Sequence, residues 1–142
     1  TMQLLLQISP LRYRVGTIFT VLSELYSNAM EHGVLLLDSS IKSDAEGFAS
    51  YYRERQRRLE ALDEGFVSIE LTVKSEGGSG YLRITVRDSG PGFDVQRALN
   101  QQYCSEQLGG RGLRMIRQLS ERFYWQPDGK VLNVEFHWVG HA

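Results

Sequence analysis

Three short stretches of this chain carry residue types whose spacing suits chemistry on a bound nucleotide. In Glu24-Leu-Tyr-Ser-Asn28-Ala-Met-Glu-His32-Gly33, the carboxylate and the carboxamide are four residues apart, so on a helix one lies above the other. An Asn oxygen is a hard donor suited to Mg2+, and a carboxylate one turn away can orient or deprotonate a nucleophile. The same spacing also occurs on the polar side of many amphipathic helices. In Asp88-Ser-Gly90-Pro-Gly92-Phe93-Asp94, an acid follows an alternating segment and can accept a hydrogen bond from an exocyclic amine, while the glycines permit close approach or positive φ. These residue types equally make an ordinary turn. In Gly109-Gly110-Arg111-Gly112-Leu113, a glycine-rich turn leads into a helical pattern and can present free amides and a positive dipole end to a phosphate. Otherwise it is a flexible loop before a helix. No Gly-Lys-Ser/Thr follows, and the stretch does not join strand to helix in a βαβ unit, so neither common phosphate-loop fingerprint applies.

The elements that must position these residues can be read from periodicity. Val15, Ile18, Leu22, Leu25 and Ala29 recur at spacings of three and four, with Phe19 and Tyr26 beside them. This predicts a long amphipathic helix with Gly33 in a C′-like stop. Ser43 and Glu46 have capping-box spacing, and a second helix is predicted over 44–64, stopping near Gly65. Val67, Ile69, Leu71 and Val73 alternate with polar residues, as do Leu82, Ile84 and Val86, and Gly77-Gly78-Ser79-Gly80 reads as the hairpin turn between them. Residues 94–110 are polar with weak periodicity and are expected to form a mobile loop with one helical turn. Leu113, Ile116 and Leu119 predict a further helix. Arg122–Gln126 and Val131–Val139 predict two strands joined at Pro127-Asp128-Gly129. Residues 2–8 are apolar, and periodicity does not separate helix from strand there. The order gives an α+β fold, a two-layer α/β sandwich with a mixed, mostly antiparallel sheet and helices on one face.

Composition narrows the function classes. The chain has 142 residues, enough for one domain with its own core. Sixteen basic residues against seventeen acidic give a net charge of −1, which lacks the basic footprint of a nucleic-acid binder. No apolar run approaches the ~20 residues that span a bilayer. The single cysteine, Cys104, forms no internal disulfide, so a reducing cytoplasm is the expected location. The chain opens on Thr1, and the expectation is a piece cut from a longer protein.

The order of the three stretches is more specific than any one of them. A helix with Glu-x-x-x-Asn, a strand followed by Asp-x-Gly-x-Gly, and Gly-x-Gly-Leu opening a helix resemble the N, G1 and G2 boxes of the GHKL, or Bergerat-fold, ATPases. That superfamily includes gyrase, the histidine kinases and the anti-sigma-factor serine kinases. The resemblance covers about residues 12–139. It implies ATP and Mg2+ as cofactors, with Asn28 holding the metal and Glu24 as general base. It implies Asp88 on the adenine amino group, with Gly90 and Gly92 shaping that wall. Gly110, Arg111, Gly112 and Leu113 would hold the triphosphate, beneath an ATP lid at about 94–110. The whole chain, 1–142, would be one histidine-kinase-like ATPase domain with a helical insertion at about 38–65.

Glu24, the compact build and the Gly-Gly-x-Gly-Leu form are most similar to the serine kinases of bacterial partner-switching systems. The resemblance then implies ATP-dependent phosphorylation of a Ser on a STAS-domain anti-sigma-factor antagonist. A sigma or anti-sigma factor is a further implied partner, and a homodimer is allowed; no nucleic acid or membrane is expected. The alternatives are a non-catalytic, nucleotide-dependent binding module for a sigma or anti-sigma partner, and a histidine-kinase catalytic domain. About thirty residues between Gly33 and Val67 depart from the small stand-alone kinases. With Glu31-His-Gly-Val-Leu-Leu-Leu-Asp-Ser39, they look like the C-terminal kinase-like domain of response regulators fused to PP2C-type phosphatases. A second departure is Lys-Val-Leu-Asn-Val at 130–134, where many members carry a Thr near the adenine.

Overall fold

The computed structural model describes residues 9–35, 45–104 and 112–139. A short helix, α1 (Ser9–Arg12), has Pro10 in its first turn and leads into α2 (Val15–Asn28). Ile18, Val21 and Leu25 of α2 are fully buried, while Phe19 and Tyr26 face outward. Arg14 fixes the start of this helix. Its guanidinium pairs with Glu121 at 2.6 Å, donates to the His137 carbonyl at 3.1 Å and lies over the Phe136 ring.

Beyond Asn28 the helix widens into a π-helical turn over Ala29–Val34, closed by the Leu35 amide donating to the Met30 carbonyl at 2.9 Å. Gly33 therefore does not stop α2 as a C′ residue; it lies inside the wide turn and is not among the positive-φ glycines. The second helix, α3 (Ala45–Ala61), ends before the expected Asp63–Gly65. The proposed capping residue Ser43 and the uncertain segment 2–8 lie outside the described residues.

Strands β1 (Val67–Glu76) and β2 (Ser79–Asp88) form a hairpin. Its two-residue turn, Gly77-Gly78, has φ of 60° and 83°, the backbone a primed turn requires. Two helices follow, α4 (Val95–Cys104) and α5 (Gly112–Leu119), then β3 (Arg122–Trp125) and β4 (Val131–Trp138). The sheet order is β1-β2-β4-β3, and every pairing is antiparallel. A parallel strand, which a mixed sheet needs, is not among the described residues.

Leu82, Ile84 and Val86 of β2 and Leu132, Val134 and Phe136 of β4 form the sheet half of the core, against Leu25, Leu99, Leu113 and Ile116 from the helices. The edge strand is less covered: Ile69 and Val73 share the apolar face but remain exposed. The expected mobile loop after residue 94 is instead the ten-residue helix α4. Asp94 caps it by accepting the Arg97 amide at 3.0 Å, and Val95 and Leu99 are buried one turn apart. A ten-residue helix needs only a cap and two anchors to dock, and so few apolar positions leave a faint periodic signal.

The other sheet face is polar and carries a buried acid. Glu135 is 2% exposed and accepts from Arg83 at 3.0 Å and Tyr124 at 2.8 Å, with His137 at 2.8 Å on its second oxygen. Burial pushes its carboxyl up, but the hydrogen bonds from Tyr124, His137 and Arg83 prevail and hold it below the ordinary range. Among the described residues, no helix is long and apolar enough to cross a membrane.

Candidate functional site

The site has two halves, linked by α2 and its π-helical extension. The first half is a wall at the end of β2. Asp88 is the last residue of that strand, and its Oδ1 accepts the Gly90 amide at 2.8 Å. Gly33 lies directly against this carboxylate: a Cβ there would be 2.5 Å from Asp88 Cγ and Oδ1. A Cβ on Gly90 would collide with the Gly33 carbonyl and lie 2.8 Å from Asp88 Oδ1. The absence of side chains at 33 and 90 is thus what lets the three backbones converge on one acid.

Gly92 does not line this wall directly. It has φ of 84°, and its α-carbon packs on the Asp128 carbonyl. Gly129, with φ of 70°, packs reciprocally on Phe93. These two glycines dock the loop after Asp88 onto the β3–β4 turn, which is itself closed by Gly129 donating to the Gln126 carbonyl and Lys130 donating to Asp128. The docking brings the Lys130 charge near Asp88. Asn133 faces the opposite side of the sheet, accepting from Thr85 at 2.8 Å. Leu132 and Val134 are buried toward the helices.

Burial raises the Asp88 carboxyl above its ordinary value, against the Gly90 amide and the Lys130 charge, which both lower it. A raised folded-state value means the folded chain takes up this proton at higher pH than the unfolded chain. Stability therefore rises as pH falls through that raised value. The Asp88→Asn protein, which keeps an oxygen for the Gly90 amide, is expected to lack this gain. Thermal melts of the nucleotide-free proteins across mildly acidic pH check it, and parallel slopes for the two would refute it.

The second half lies at the start of α5. Glu24 is one turn, about 6 Å, before Asn28 on α2. Its Oε2 sits against the first residue of α5: a Cβ on Gly112 would be 2.6 Å away. Leu113 is buried behind that junction. Asn28 is half-buried at the end of α2, between Glu24 and the π-helical turn. The structure thus brings Glu24 to Gly112, and Gly33 to Asp88 and Gly90, with Asn28 between the halves in chain order. Gly110 and Arg111 lie outside the described residues, as does the part of the expected lid that follows α4.

Three contributors escaped the sequence reading. Gly129 was visible only as a turn, and Lys130 only as the start of the 130–134 run that departs from the family pattern. Gly33 was visible, but as a helix stop. An open groove of about 570 Å³ beside Lys74, Tyr81 and Trp138 lies at the hairpin end of β2, away from Asp88, and is not part of this site.

The donor set suits a nucleotide. A half-buried carboxylate stands at a glycine-lined wall, and a second carboxylate, one helical turn before a carboxamide, stands beside a glycine helix start. Among the described residues, no group of three or more His, Cys, Asp or Glu could hold a metal ion. Four antiparallel strands backed by helices, with these boxes at the strand and helix ends, define a GHKL-type α+β ATPase fold. A family model for the histidine kinase-like ATPase domain matches residues 11–136, and the chain belongs to that family. A search among curated proteins finds no match.

Proposed function

We propose that this domain is a protein serine/threonine kinase of a bacterial partner-switching system, acting in the cytoplasm on a STAS-domain anti-sigma-factor antagonist. The observation that carries the reading is the placement of the Glu24 carboxylate against Gly112 at the start of α5. An acid there stands beside the amides suited to a terminal phosphate, where an incoming hydroxyl would meet it.

ATP, when bound, supplies the transferable phosphoryl group, and Mg2+ supplies charge compensation on its phosphates. The rest is the work of the chain. Asp88 would accept a hydrogen bond from the purine amine, with Gly33 and Gly90 leaving room for its carboxylate and Gly92 holding the loop. Gly110, Arg111, Gly112 and Leu113 hold the phosphates through amides and the dipole end of α5. Asn28 would hold Mg2+ through its carboxamide oxygen. Glu24 aligns the Ser hydroxyl and accepts its proton. Binding to a sigma or anti-sigma factor extends the same reading.

The test is incubation with ATP labelled on its γ-phosphate and a STAS-domain protein. Acid-stable label on a partner Ser is expected. An acid-labile, base-stable adduct would indicate a histidine kinase instead. Nucleotide-dependent partner binding with no label would indicate a non-catalytic module.

A further inference from the structure

The helical insertion has no role in the chemistry above, yet both α3 and the residues just before β1 land on the segments around Asp88. On the outgoing side, α3 grips the π-helical turn at three points. Arg55 Nε donates to Glu31 Oε1 at 2.9 Å, and Glu31 is 7% exposed. Arg58 donates to the Leu35 carbonyl at 2.8 Å. Tyr51, fully buried, packs with Leu35 against Met30 and Val34. Glu54 steers Arg58 by accepting from its Nε at 2.8 Å.

On the return side, residues 65–66 lie against the residue after Asp88. The Phe66 amide donates to Ser89 Oγ at 2.9 Å, and the Ser89 amide donates to the Phe66 carbonyl at 3.0 Å. Gly65 packs on the Val34 side chain, where a Cβ would be 2.9 Å from Val34 Cγ1. Residues 31, 34 and 35 are thus held from outside, while Gly33 between them presses on Asp88 from inside. Among the described residues, no hydrogen bond or ion pair joins α3 to Glu24 or Gly112.

We infer that α3 is a brace for the purine wall and that Arg55 is a positioning residue for base recognition, acting through Glu31 and Gly33 on Asp88. This rests on the reading of Asp88 as the purine contact. The physical basis is that Glu31 is buried, and losing the Arg55 cation leaves its charge under-compensated even with Tyr51 beside it. Without Arg55 the acid turns outward toward water and takes the π-helical turn with it. Gly33 then leaves the carboxylate it backs.

The brace predicts a loss confined to the base. In Arg55→Ala, ATP affinity should fall about tenfold, within the range by which indirect contacts modulate binding. Affinity for inorganic tripolyphosphate, which meets only the α5 half, should be unchanged. The preference for ATP over purine riboside triphosphate, which lacks the exocyclic amine, should shrink. Arg53→Ala serves as the control, because Arg53 is exposed on α3 and its guanidinium donates to Ser50 within the same helix at 3.2 Å.

Calorimetry on the whole chain reads all four quantities. Should Arg55→Ala fail to fold, Arg55→Lys, which keeps the charge beside Glu31 but not the guanidinium geometry, is expected to show a smaller fall in the same ratio. Unchanged ATP affinity in a folded Arg55 variant overturns the inference, and so does equal weakening toward ATP and tripolyphosphate. A wild-type protein that binds tripolyphosphate but not ATP overturns the purine reading itself, and the brace with it.

Discussion

Gly33→Ala is expected to weaken ATP binding by at least about a hundredfold, roughly 2.7 kcal/mol. The added methyl would lie 2.5 Å from Asp88 Cγ and Oδ1 and 2.7 Å from Oδ2. No Cβ tolerates such distances, so either the carboxylate swings away or the π-helical turn shifts. Overpacking of this kind costs about 1–3 kcal/mol. Either movement also strains the 2.8 Å hydrogen bond from the Gly90 amide, and hydrogen bonds to charged groups contribute about 1.5–3 kcal/mol. Both losses fall on Asp88, the acid proposed to read the base. Gly16→Ala, near the start of α2, is the comparison, since nothing lies within 4 Å of a Cβ there. It should leave affinity intact and, if anything, stabilise the helix by up to about 1 kcal/mol. Calorimetric titration with Mg-ATP, with circular dichroism to verify folding, separates the two. A folded Gly33→Ala protein with wild-type affinity would show that Asp88 is not the purine contact.

Glu24→Gln should retain ATP affinity while losing phosphoryl transfer by about 10²–10⁴-fold, the usual range for a positioned general base. The amide has the shape of the carboxylate, so the fit against Gly112 persists and the phosphate-binding half is undisturbed. Only the capacity to take the hydroxyl proton goes. Gly112→Ala reaches the same group from the other side. Its methyl would be 2.6 Å from Glu24 Oε2, but that atom ends a flexible side chain and can yield. Transfer should therefore fall with little loss of melting temperature. Single-turnover transfer to a STAS-domain protein, the proposed substrate, alongside a binding titration, measures both. Wild-type transfer by Glu24→Gln would remove the proton-accepting role.

The boxes around Glu24, Asn28, Asp88 and Gly112 were legible because each is local. A helix repeats its faces every few residues, a strand alternates, and glycine-rich turns punctuate both. Helix α4 was not legible, because Val95 and Leu99 with one Asp94 cap leave too little pattern against a polar background. The edge strand misled in the other direction. Ile69 and Val73 alternate like core residues, yet the helical layer does not extend over them.

The function of a glycine is the clearest case of what a linear pattern withholds. Gly33 follows a long helix, and stopping it is the commonest reason for a glycine there. Its actual constraint is Asp88, brought to it from the far end of a hairpin. Gly92 and Gly129 answer to each other's loops in the same way, and Arg55 answers to Glu31 across the insertion. Glu135, alternating like a solvent-facing residue, became buried because Arg83, Tyr124 and His137 from three strands close over it.

By itself, then, the order of residues determined most of the element types, the α+β class and the chemical identities gathered at the boxes. All of these depend on neighbours within a turn or a pleat. Only the tertiary structure decided which glycines must stay bare, which acids are buried and what the insertion leans on. Those are matters of close contact between segments far apart in the chain, and no local periodicity encodes them.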